Sequence, residues 1–156
     1  MNDVDLTISL FTEEKLNDVI CFENKLREEE DVWGWNIDDK YIASVRNSFS
    51  DKTFDDCISL LAYVKGKVVG RIDASMIKTR FDGSNRAYLD WICVLKSYRH
   101  KGIAQSLFKE LCKLLKEKGI TSLVGLTAAN EEAQKFYKSI PNSTMRDIGI
   151  WVDIEQ

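Results

Sequence analysis

The chain is short of the residues that mark special architectures. One proline and eight glycines in 156 residues exclude collagen-like and proline-rich chains. Four cysteines, Cys21, Cys57, Cys93 and Cys112, form no C-x-x-C pair and have only His100 as a possible partner, which argues against a zinc site or a disulfide framework. No metal is expected. No run reaches the roughly 18 uninterrupted apolar residues of a membrane span. The start, Met1-Asn2-Asp3-Val4-Asp5, is acidic where a secretory leader would be basic. A cytoplasmic protein with no membrane contact is therefore expected. Neither G-x-x-x-x-G-K-[ST] nor G-x-G-x-x-G occurs, so a Walker loop and a dinucleotide fingerprint are excluded. Linkers, repeats and low-complexity tracts are also missing, and residues 1–156 read as one domain.

Charge is present in both signs but unevenly placed. Ten acidic residues face five basic ones between Glu23 and Asp56, a local net of -5, whereas seven basic residues face two acidic ones between Lys96 and Lys118, a local net of +5. One segment suits a cation and the other an anion, the alternative being two ordinary solvated faces. The overall charge of -3 argues against nucleic acid as a partner.

Periodicity orders the elements. Leu6, Ile8 and Leu10 alternate as a strand, and Thr12 before Glu13-Glu14 reads as an N-cap for a helix towards Glu30. A short helix is expected over Asp38 to Phe49. Ile58 to Val64 and Val68 to Ile77, joined by Lys65-Gly66-Lys67, predict a hairpin. Ala87 to Leu95 predicts a buried strand on which residues 88, 90, 92 and 94 share a face. Ile103, Leu107, Leu111, Leu114 and Leu115 predict an amphipathic helix ended by Gly119. Ser122 to Ala128 returns as a strand, Asn130 to Ile140 as a helix, and Met145 to Ile154 as a last strand. The class is α/β or α+β, with a mostly antiparallel mixed sheet containing a βαβ unit flanked by helices.

The segment Tyr98-Arg99-His100-Lys101-Gly102-Ile103-Ala104 lies between a strand and a helix. There the first helical amides have no intrahelical acceptors, Gly102 and Ala104 leave room, and Arg99 and Lys101 add positive charge. An anion is the natural occupant. Together with Asn130-x-x-Ala133-x-x-Phe136-Tyr137, the pattern Arg99-x-x-Gly102-x-Ala104 after the strand Leu89 to Val94 resembles the GNAT superfamily of N-acetyltransferases. The specific residues of that resemblance lie between Asp90 and Tyr137. The half before them matches only as an order of elements.

The resemblance implies acetyl-CoA as cofactor, held where two parallel strands splay apart. Backbone groups of Ile92, Cys93 and Val94 would pair with the pantetheine arm. Amides from Arg99, His100, Lys101, Gly102, Ile103, Ala104 and Gln105 would hold the pyrophosphate. Asn130 would touch the arm further along, although it is equally a helix cap, and Tyr137 would protonate the departing thiolate, although it is equally a core aromatic. An alkylamine acceptor is protonated at neutral pH and needs a base. Asp90 is the candidate, with Asp73 and Glu30 as alternatives, and Asp90 could instead pair with Arg71. Cys93 reads as packing rather than as a nucleophile. In this family the first helices set the acceptor. Here Glu28-Glu29-Glu30-Asp31 followed by Trp33 and Trp35 suits a small cationic amine, with Glu30, Trp33, Trp35 and Asp73 as candidate contacts. A protein N-terminus or lysine as acceptor, and a non-catalytic acyl-CoA-binding module, are the competing readings. After Tyr137 the family's usual Gly-Phe pair is missing, which leaves the end of the sheet open to a second subunit, and a homodimer is the expectation.

Overall fold

Lys65 and Gly66 both take positive φ, 49° and 73°, the type I′ turn whose twist suits the strands on either side of it. In this computed structural model, which describes residues 5–32, 34–146, 149, 150, 152 and 154, that turn joins the second and third strands of the sheet. The strands β1 (Leu6–Leu10), β2 (Cys57–Val64), β3 (Lys67–Lys78) and β4 (Asn85–Val94) are antiparallel neighbours in that order. Beyond β4 lies β5 (Ser122–Gly125), reached through a helical crossover, so the sheet is mixed, as expected.

The described residues form four helices: α1 (Leu16–Glu29), α2 (Asp39–Ser48), α3 (Ile103–Glu117) and α4 (Glu131–Ser139). A 3-10 turn over Glu13–Lys15 precedes α1, and Thr12 makes no side-chain cap there. Asp38 does cap α2, accepting from the Tyr41 N–H at 2.9 Å. Gly119 ends α3 at φ 75°, and the Ile120 N–H returns to Leu115 O at 3.0 Å, the left-handed closure that glycine permits.

The chain divides into two units, residues 1–124 and 125–156. In the first, α3 buries Ile103, Leu107, Leu111 and Leu115 against the face that carries Gly70 and Ile72. A Cβ on Gly70 would stand 3.0 Å from Cys93 O and 3.3 Å from a Leu107 methyl, so a side chain there would push the helix off. The opposite face receives α1 through Leu16, Val19, Phe22, Leu26 and one buried carboxylate, Glu23.

Three expectations are corrected. Asp73 pairs with Trp91 while the adjacent Ala74 pairs with Leu89, so Asp90 is the extra residue of a β-bulge. A bulge reverses the alternation. Residues 92 and 94 therefore lie with Ile72 and Gly70, and residues 88, 91 and 93 with Ser75, Asp73 and Arg71, instead of 88, 90, 92 and 94 sharing a face. The strand expected to run to Ala128 stops at Gly125. Thr127 Oγ1 and Ala128 O turn instead to the Gln134 side chain, at 3.0 and 2.8 Å. The described residues of 145–154 carry no strand, and the rest of that segment lies outside the described residues. Alternating apolar residues make a strand only where a neighbouring edge takes up their N–H and C=O groups.

Candidate functional site

A cavity of about 550 Å³ opens on the α1 side of the sheet. Phe11, Phe49, Phe54, Trp35 and Tyr41 give it an aromatic lining, and Asp55, Asp73, Asp90 and Arg71 give it charge. Of the candidate acceptor contacts, Trp35 and Asp73 line it. Trp33 lies outside the described residues. Glu30 is absent from the lining; its carboxylate accepts from Arg99 Nη2, while Glu29 accepts from the Ser97 N–H and hydroxyl at 3.0 and 2.8 Å. These contacts tie the end of α1 to the turn after β4.

The three candidate bases are thus separated by their partners. Glu30 is paired with Arg99. Asp73 meets Arg71 at 3.1 Å, and Arg71 meets Glu23 at 2.5 Å. Asp90 sits on the bulge, exposed at the cavity, and takes no part in the Arg71 ion pairs. Burial and the neighbouring Asp73 charge push its carboxyl above the usual range, against the pull of Arg71. A carboxylate poised upward in a cavity is what a general base for an ammonium group requires.

Trp35 gives its aromatic face to the protein's own cations. Arg27 and Arg71 lie over its ring at 5.9 and 5.8 Å, and Tyr41 stacks on it at 6.2 Å. Cys93 receives the Trp91 indole N–H at 3.0 Å, and burial pushes its thiol up to about 11. A thiol held protonated at neutral pH is a poor nucleophile, in keeping with a packing role.

The end of β4 prepares an edge. Leu95 N–H donates to Val69 O at 2.9 Å, and Val94 stands opposite Gly70. In an antiparallel ladder this alternation points the N–H and C=O of Ile92 and Val94 away from β3, and those of Cys93 towards it. Arg99 Nε reaches Val94 O at 3.1 Å from that outer side. Next, Lys96–Tyr98 form a 3-10 turn, and His100 and Gly102 take positive φ, 60° and 77°. Ser106 N–H bonds to Gly102 O at 3.0 Å, so the N–H groups of Ile103, Ala104 and Gln105 precede the α3 ladder and collect at its positive end. A Cβ on Gly102 would meet nothing within 4 Å, so the approach to these amides is open. Lys101 folds back over the Tyr98 ring at 4.8 Å and donates to Ser97 O at 3.2 Å.

Residues 125–156 carry the other two candidates. Asn130 caps α4, its Oδ1 accepting from the Ala133 N–H at 2.8 Å. Tyr137, on the second turn of α4, packs edge-on to Phe136 at 5.3 Å. The features that sequence reasoning missed are Glu23 and Asp55. Glu23 falls on the apolar stripe of α1, one residue after Phe22, and a carboxylate at such a position was the available signal.

The sequence profile of the Acetyltransferase (GNAT) family matches residues 19–140, and the chain belongs to that family. Its fold recurs in an aminoglycoside acetyltransferase from an uncultured soil metagenomic sample, with 16% identity over 99% of this chain and 100% of the other and a TM-score of 0.79. It recurs also in AAC(6')-Iy bound to a bisubstrate analogue of CoA and acetylneamine, with 20% identity over 95% and 97% of the two chains and a TM-score of 0.74. The ribosomal-protein-alanine N-acetyltransferase of Brucella melitensis biovar Abortus 2308 matches at 21% identity over 95% and 97%, with a TM-score of 0.73. At these identities the likeness is one of fold. In sequence, the chain is 31% identical over 102 residues, 64% of its length, to the uncharacterized protein YyaT of Bacillus subtilis (strain 168), and the match spans 65% of that relative.

Proposed function

We propose that the protein is an acetyl-CoA-dependent N-acetyltransferase acting on a small cationic amine, with residues 1–156 working as one domain in the cytoplasm. The observation that carries this reading is the placement of Asp90. It stands at the lip of an aromatic, acidic cavity, and two residues further along the same strand begin the outward-pointing edge groups of Ile92 and Val94.

The open turn at Gly102 and the donor set beside it fit a pyrophosphate. The N–H groups of Ile103, Ala104 and Gln105 would bind it, with Arg99, His100 and Lys101 contributing from the preceding turn. Ile92 and Val94 would orient the pantetheine arm by pairing with it through backbone groups turned away from β3. Cys93 is corrected from the expected set: its polar backbone groups face β3, so it does not pair with the arm and stands as the spacer between Ile92 and Val94. Bound acetyl-CoA supplies the activated acetyl thioester. The Val94 N–H would donate to the thioester oxygen as charge develops there, a role carried over from the family. Asp90 holds the acceptor's ammonium group and takes its proton. Tyr137 as proton donor to the departing sulfur, and Asn130 Nδ2 as a contact to the arm, are roles carried over from the family onto α4.

The cavity supports a small acceptor. Its lining carries three carboxylates against one guanidinium, so a cation is attracted, and about 550 Å³ is a volume that encloses a small molecule. Exposed Leu126, Ile150, Val152 and Ile154 support a homodimer; a monomer by light scattering at micromolar concentration would remove that part of the reading. The main test is calorimetry with acetyl-CoA on the wild type and on Gly102→Glu, followed by thiol release over a panel of amines. Binding abolished in the mutant and turnover confined to cationic amines are expected. A wild type that does not bind acetyl-CoA would end the reading.

A further inference from the structure

Two carboxylates line the cavity within one ladder position of each other, and a cation separates their roles. Arg71 is 12% exposed. Its guanidinium contacts Glu23 at 2.5 Å and Asp73 at 3.1 Å and lies over the Trp35 and Trp91 rings at 5.8 and 5.9 Å. Glu23 is itself 1% exposed, and its second oxygen is taken by Arg27 at 2.5 Å. Arg27 closes the network by donating to Trp35 O at 3.0 Å. Two cations and two carboxylates balance within it. Asp90 stands outside. A planar guanidinium can pair and stack at once, which a lysine ammonium cannot do.

We propose that Arg71 is a positioning residue for acetyl transfer: fixed by Glu23, Trp35 and Trp91, it engages Asp73 and thereby leaves Asp90 as the carboxylate that meets and deprotonates the acceptor ammonium. This rests on the function proposed above. The acceptor nitrogen would lose its proton to Asp90 and attack the thioester carbonyl, the C–N bond forming as the C–S bond breaks and the CoA sulfur leaving as a thiolate that takes up a proton, while Asp73 remains paired with Arg71. Asp90 titrates under opposed influences, pushed up by burial and by Asp73 and pulled down by Arg71. The other charged or titratable groups around the cavity are Glu23 and Arg27 from α1, Tyr41 from α2, Asp55 ahead of β2, Cys57 at the start of β2 and Cys93 on β4. Burial pushes Tyr41 and Cys93 up, so both stay neutral while a carboxylate titrates.

The test is a carbon-13 NMR titration of the aspartate carboxyls in the free protein, with the Asp90 signal assigned from Asp90→Asn, beside the pH profile of kcat/KM. Arg71→Met should move the Asp90 midpoint up and Asp73→Asn should move it down, and the acid limb of kcat/KM should follow each. The double variant should return towards the wild type. If Arg71→Met does not fold, Asp73→Asn alone carries the test, because its midpoint must fall. Midpoints that stay put, or move in the same direction, overturn the positioning role while leaving Asp90 as base, provided Asp90→Asn removes the acid limb. An acid limb that survives Asp90→Asn overturns the base assignment and, with it, the role of Arg71.

Discussion

Two helices cover opposite faces of the same sheet and differ in one buried charge. α3 buries only aliphatic side chains, Ile103, Leu107, Leu111 and Leu115. α1 buries Leu16, Val19, Phe22 and Leu26 at a similar spacing but adds Glu23. Each buried aliphatic stabilises the fold by about 1.5–3 kcal/mol, whereas a buried ion network contributes little net stability and loses about 3–5 kcal/mol when one partner is removed. The α3 face therefore holds the fold together. The α1 face fixes charges at set positions, and the cavity with its carboxylates opens on that side.

The comparison is most directly broken at Asp90. Asp90→Asn should lower kcat/KM by about 10²–10⁴-fold, the usual contribution of a general base. Its effect on stability should have the opposite sign. A carboxyl whose folded pKa is raised stabilises the fold only at low pH and loses that contribution as pH rises through the folded pKa, so at pH 7 the ionised Asp90 is a burden that the amide removes. Urea unfolding at pH 7 should show a variant no less stable than the wild type.

On the other face, Leu107→Ala should cost about 2–5 kcal/mol in urea unfolding, since Leu107 is fully buried. The Asp90 titration should stay where it was. A shifted midpoint would show that the two faces are not independent. At the start of α3, Gly102→Ala should cost about 1–2 kcal/mol through its left-handed backbone, yet keep acetyl-CoA affinity because no atom lies near the new methyl. Gly102→Glu should lose that affinity. Equal losses in calorimetry would mean that backbone conformation, and not an anion cradle, is what matters there. Asn130→Ala should cost about 1 kcal/mol of thermal stability by uncapping α4. The smallest effect concerns Cys93. Its alkylation by iodoacetamide should be slow at pH 8 and accelerate towards pH 11, where the thiolate forms.

Local patterns made much of this legible. The stripe of α3, its stop at Gly119 and the Lys65-Gly66-Lys67 turn each depend on residues a few positions apart, and the structure reproduces them. The open turn before α3 could be read in the same way, because Gly102 and Ala104 are its own residues. The bulge at Asp90 could not, since an extra residue in one strand shows only against its partner's register. Arg71 and Glu23 lie on different elements, and nothing in either neighbourhood names the other. Glu30 and Trp35 look like acceptor contacts in sequence. In the fold their partners are Arg99 for the first and Arg27 and Arg71 for the second, cations equally able to satisfy them.

The amino-acid sequence by itself determined the family, the class of the sheet, the helical stripe and the anion-ready turn, because each is a matter of spacing along one continuous segment. Only the tertiary structure decided which carboxylate is paired and which is not. Ion pairing depends on distances of about 3 Å between groups brought together by register and packing, and a one-residue bulge is enough to turn Asp90 out of the ladder and set it at the cavity.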